Sequence, residues 1–313
     1  MELNYRHRLL RISAYLFLSF SSYILAQPPS EYVAPTRAQW DDLSARAKVI
    51  DTELRMPGNP SWAGKYHWGS LGFSGETLTL APKSGYVFRP YTDYFPNDIV
   101  DKFDFGTVEG GDGIIKLHSV RKIFGDQSFY FVSWGERSLL IPETYIFKFL
   151  NFVNAGCMQF QSIGNVGNVY FPTKSDEVDR KLLGKPAVKK EFEKFLLSVP
   201  VKARVTSVGK TRIEKQFPDS PNHLWFNAYT LVNLNVGSTK GVWVGMTMFS
   251  RLPSTSNSHM RVQIRSVTEN AAEGEVYRIF EGKEPPIVSV GLEFSSNFEG
   301  IAPNLQVVPW ECK

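Results

Sequence analysis

The chain has 313 residues, of which 42% are hydrophobic and 14% aromatic, a composition that excludes a disordered protein. That length usually makes two domains, each able to bury its own core. The formal charge is +4, with acids and bases interspersed along the chain, which excludes the clustered basic face that nucleic acid demands.

Arg6, Arg8 and Arg11 precede a run of about fifteen mostly apolar residues that stops at Ala26, ahead of Gln27-Pro28-Pro29. This layout predicts a signal peptide over 1–26 and an exported protein, periplasmic or extracellular. The run is shorter than the roughly 20 residues that span a bilayer, and no later segment has the length and apolarity to cross one. Residues 1–26 hold three arginines and one glutamate, so their removal takes the formal charge from +4 to +2. An oxidising compartment would let Cys157 and Cys312 form one disulfide, with two unpaired thiols as the alternative.

Within 27–160, Trp40, Leu43, Ala47, Ile50 and Leu54 recur at helical spacing, and Pro57-Gly58-Asn59-Pro60 ends that helix. From Trp62 to Pro142 the period changes to two, as in Thr77-Leu78-Thr79-Leu80 and Tyr86-Val87-Phe88. Turns are expected at Pro82 to Gly85, at Gly110-Gly111-Asp112-Gly113 and at Gly135-Glu136-Arg137. A second helix is expected from Pro142 to a closing Gly156, with Tyr145, Ile146, Phe149, Leu150 and Val153 on one face.

Residues 161–185 read as an inter-domain connection. In 186–313 a third helix is expected over Pro186 to Val199. After it come strands with one-sided alternation, such as Val201, Ala203 and Val205 against Lys202, Arg204 and Thr206. The segment Leu231 to Phe249 spells a strand, a tight Gly-Ser turn and a second strand. The fold class is mainly β with a few helices (α+β): an amino-terminal antiparallel meander or small barrel with packed helices, then a carboxy-terminal small β-barrel or sandwich.

Two stretches resemble known families. Asn233 to Met246, NLNVGSTKGVWVGM, is similar to an element of small β-barrel domains in bacterial envelope and flagellar-assembly proteins, including rod-shape-determining scaffolds. That resemblance implies a docking or assembly module. Ser133 to Gly156, together with SWAGKYHWG and ETLTLAPKSGYVF, resembles the amino-terminal half of uncharacterised exported bacterial two-domain β proteins.

No motif for catalysis, a metal or a cofactor is complete. Gly209-Lys210-Thr211 lacks the opening glycine of a phosphate loop, since that position is Arg204. Ser119 with Lys122 and Ser207 with Lys210 match Ser-x-x-Lys without its companion motifs. Asp98, Asp101 and Asp104 recur every third residue, which suits a solvated turn and not a calcium loop.

The aromatic group around Trp68, Phe73, Tyr86 and Phe88 would line a small cup if the meander closes, or else fill its core. The sequence thus points to a non-catalytic module binding an envelope protein. A lipocalin-like carrier of a small apolar ligand is the first alternative, and a hydrolase whose site forms only in three dimensions is the second.

Overall fold

The computed structural model describes residues 36–70, 74–92, 103–135, 137–156, 169–173, 184–218, 224–250, 260–281 and 287–297. The proposed signal peptide, Phe73, Cys157 and Cys312 lie outside these residues, as do Asp98 and Asp101.

Helix α1 (Arg37–Leu54) buries Leu43 and Ile50, the stripe its spacing predicts. Asn59 closes it by donating to Glu53 O and Met56 O at 2.9 and 3.0 Å. Arg46 lies 4.1 Å over the Phe105 ring, and the Glu53 carboxylate accepts the N–H groups of Lys83 and Ser84 at 2.9 and 2.7 Å.

Strands β1 (Gly64–Ser70), β2 (Ser74–Ala81), β3 (Gly85–Thr92), β4 (Asp104–Gly111), β5 (Ile114–Ser119), β6 (Gln127–Trp134) and β7 (Arg137–Pro142) form an antiparallel meander in sequence order. Asp112 and Gly113, both at positive φ, make the two-residue β4–β5 turn that an Asp-Gly pair favours. The ring is nearly closed by β8 (Phe171–Pro172), which lies inside the stretch read as a connection. It pairs with β1, while Tyr170 and Leu140 exchange backbone hydrogen bonds of 3.0 and 2.9 Å with one another. Pro172 stands in this short strand, where its missing N–H costs little.

Between β7 and β8 runs α2 (Ile146–Ala155), closed as expected by Gly156 at φ 76°. It buries Ile146, Phe149 and Leu150 in a core that continues into the second sheet. Two asparagines key it there. Asn151 donates to Gly245 O and accepts from Thr247 N, and Asn154 donates to Phe195 O and accepts from Leu197 N, all at 2.9–3.0 Å.

The third expected helix is reduced to a single turn, α3 (Lys190–Glu193). The Asn154 side chain takes the Phe195 and Leu197 backbone groups that a longer helix would have used.

The second sheet is a closed antiparallel barrel in the order β10-β13-β12-β11-β14-β9. Its strands are β9 (Lys202–Lys215), β10 (Trp225–Leu234), β11 (Thr247–Ser250), β12 (Arg261–Val267), β13 (Ala272–Glu281) and β14 (Glu293–Ser295). The tight Gly-Ser hairpin expected here does not form, because β10 pairs with β9 and β13 and not with β11. A short 3₁₀ turn over Ser238–Lys240 follows Gly237 instead, and Gly241 and Gly245 adopt φ of 80° and 93°. A Cβ on Gly237 would stand 2.3 Å from Thr268 O, so the chain crosses there only as glycine.

Candidate functional site

The inner face of the first ring follows the period-two reading. Tyr66, Leu78, Leu80, Tyr86, Phe88, Ile115, Leu117, Phe129, Leu140 and Tyr170 form one buried cluster, with Trp68 packed against it. Three residues expected to meet a ligand, Trp68, Tyr86 and Phe88, are therefore brought together. Phe124 enters from the β5–β6 connection, stacks on Phe88 at 4.0 Å and approaches Phe129 at 6.3 Å. Gly106 makes room for Tyr86: a Cβ there would stand 2.9 Å from Tyr86 Cε1.

The connection carrying Phe124 is held by Asp104, which is fully buried. Its Oδ1 accepts from Phe105 N and Arg121 N, and its Oδ2 from Ser119 Oγ and Phe124 N at 2.5 and 2.7 Å. Asp104 is thus an internal acceptor and not a member of a solvated acidic turn. Ser119 Oγ also accepts from Lys122 N at 2.6 Å, while Lys122 Nζ pairs with Asp126 at 2.9 Å. The amine of this Ser-x-x-Lys match is directed at a carboxylate. The other match lies along the exposed part of β9, where Ser207 Oγ accepts from Asn233.

Polar chemistry is also enclosed near Trp68. Glu76, its partner across β1 and β2, accepts a hydrogen bond from Tyr170 Oη. Burial pushes the Glu76 carboxyl above its ordinary range despite that bond, and burial beside Glu76 drives the Tyr170 hydroxyl well up. Burial, reinforced by Asp104, also raises Tyr86. Its hydroxyl lies near Ser119, yet neither it nor Trp68 Nε1 has a partner at hydrogen-bond geometry. His67 points to the other face, towards Phe171 at 6.3 Å between centroids, and burial lowers its pKa.

A second constellation lies on the outer face of the barrel, where sequence reading placed no site. Arg212, Tyr229, Tyr277 and Arg261 stand directly opposite one another on β9, β10, β13 and β12, one row across four strands. The tyrosine rings are 5.3 Å apart, and each guanidinium carbon lies 4.5 Å from the neighbouring ring centre. Glu275 accepts from Arg265 at 2.7 Å and lies 3.8 Å from Arg212. On the same face of β10, Trp225 and Leu231 are 39% and 40% exposed. Only strand register assembles this row, so no local motif announces it.

Comparison of the chain with known protein families, with characterised proteins and with solved structures gives no match.

Proposed function

We propose that this is an exported cell-envelope protein that acts without catalysis, as a binding or assembly module engaging a protein partner through its carboxy-terminal barrel. The observation that carries this reading is the outward row Arg212–Tyr229–Tyr277–Arg261 beside exposed Trp225 and Leu231. Tyrosine, tryptophan and arginine are the side chains that most often anchor protein interfaces, since the two aromatics bury large area for few lost rotamers and the guanidinium presents a planar fork of donors. The likeness of 233–246 to envelope assembly barrels and the leader-like residues 1–26 support the same reading.

The test is capture of partners from envelope extract by the tagged mature protein, with mass spectrometry of both proteins and small molecules. A stoichiometric protein partner is expected, and Trp225→Ala should reduce its retention by about tenfold or more. Equal retention by the variant would move the interface elsewhere, and recovery of the protein in cytosol with residues 1–26 intact would refute export.

A second reading, a carrier of a small apolar ligand, has the unpartnered Tyr86 hydroxyl and Trp68 Nε1 in its favour and the filled ring interior, where Phe124 stacks on Phe88, against it. It requires added lipid to quench tryptophan fluorescence and Trp68→Phe to remove much of that signal.

A further inference from the structure

Strand β9 leaves its own barrel. Its first residues pair with β14 on one side through Lys202–Arg204, and Val205 exchanges backbone hydrogen bonds with Gly291 and Leu292 at 2.9 Å. Beyond Val205, among the described residues, only β10 pairs with it. The nine residues from Thr206 to Glu214 are all exposed, which is unusual for a strand that belongs to a closed ring.

The register shows where the backbone groups of this edge point. Gln216 N donates to Trp225 O at 2.9 Å, so that pair is hydrogen-bonded. Antiparallel pairs alternate between bonded and non-bonded, and by that alternation Ile213 and Thr211, opposite Ala228 and Thr230, turn their N–H and C=O away from β10. Two donors and two acceptors in strand geometry therefore face outward, the template to which an extended chain adds.

The side chains flanking that edge differ on its two sides. Ile213, 46% exposed, shares a face with Phe226, whose ring stacks with Phe280 at 5.6 Å. Lys210 and Arg212 occupy the opposite face. Over its whole length β9 carries Lys202, Arg204, Lys210, Arg212 and Lys215 against the single carboxylate Glu214. A β-bulge, in which Gly209 and Lys210 oppose Leu231, interrupts the edge ahead of Thr211. A bulge and a lysine are devices that stop indiscriminate edge pairing, and a strand of such net positive charge disfavours pairing with its own copy. What remains favourable is a strand of opposite charge.

We infer that the outer edge of β9 at Thr211–Ile213 captures an extended segment of a partner protein by strand addition. The segment would alternate acidic residues, facing Lys210 and Arg212, with aliphatic or aromatic residues, facing Ile213 and Phe226. This inference rests on the binding-module reading and names the chemistry of the partner.

The test uses the full mature protein and fluorescently labelled peptides of about eight residues that alternate glutamate with valine, with a lysine–valine counterpart as control. The acidic peptide should bind and the basic one should not. Ile213→Pro removes an outward N–H without touching the ladder to β10, so it should melt as the wild type does and bind the acidic peptide at least about tenfold more weakly. Lys210→Glu, at an exposed site, should weaken the acidic peptide and admit the basic one.

Undiminished binding by a folded Ile213→Pro, or equal binding of both peptides, would overturn the inference. If the wild type retains an envelope protein and Ile213→Pro retains it equally, the edge is excluded while the module reading stands. If the peptides behave as expected but no envelope protein is retained, the edge stands and the module reading fails.

Discussion

The eight-stranded ring encloses a cluster rich in aromatic rings together with two carboxylates, whereas the six-stranded barrel fills itself mainly with aliphatic and methionine chains, Val205, Val232, Met246, Met248, Met260, Val262 and Ile264 around Phe294, and carries the Tyr229–Tyr277 pair on its outside. Strand number explains much of this. A ring's diameter grows with its strands, so the wider one needs many bulky fillers such as Tyr86, Phe88 and Phe124, while smaller chains around Phe294 fill most of the narrower. The wider ring also encloses the carboxylates of Asp104, bonded to Ser119, and Glu76, bonded to Tyr170, whereas the polar groups buried in the smaller are hydroxyls such as Ser250 and Ser296. One ring encloses its carboxylates, and the other carries its arginine–tyrosine row outside.

The sharpest way to break this contrast is Asp104→Ala. It strands the N–H groups of Phe105, Arg121 and Phe124 and the Ser119 hydroxyl, and should cost roughly 3–5 kcal/mol in denaturant unfolding, with loss of near-ultraviolet aromatic signal. A loss below about 1 kcal/mol would mean that the ring does not depend on its enclosed carboxylate.

Gly245→Val probes the other partner in the comparison, where backbone conformation and not interior polarity is limiting. A β-branched residue at φ 93° should cost about 2–3 kcal/mol, read as a lowered melting temperature, and a normal melting curve would show that the backbone relaxes there.

The smallest expected effect is Glu76→Gln. The folded pKa of Glu76 lies above its unfolded value, so the folded state holds this proton more tightly. Stability from this group is complete below the unfolded pKa and is lost as pH rises through the folded one. Glutamine cannot ionise, so the variant should lose less stability than the wild type between acidic and neutral pH. Identical pH profiles would place the Glu76 charge in water.

Much of the fold was legible because local chemistry decides it. Alternation set the inner face of β2 and β3, Asp112-Gly113 set the β4–β5 turn, and Gly156 closed α2. Misreadings arose where distant groups decide. Phe171–Pro172 is too short for any period to reveal, and its role depends on Leu140 and Tyr66, which lie far away in sequence. Val242, Trp243 and Val244 have strand composition, yet Gly241 and Gly245 at positive φ bend that stretch into an irregular crossing.

At the candidate sites, Tyr86 and Phe88 could be read together because they stand two residues apart. Glu76 with Tyr170, and the arginine–tyrosine row, become neighbours only through register.

The position of β8 also sets an order on biosynthesis. A ribosome delivers all seven meander strands, and then α2, before the residues that bridge β1 to β7. Until then the nascent ring has two uncovered flanks, the state in which sheets join neighbouring chains. Chain release ahead of Tyr170 would therefore yield a product complete in its hairpins but prone to aggregate, and a holding chaperone would matter most over that interval.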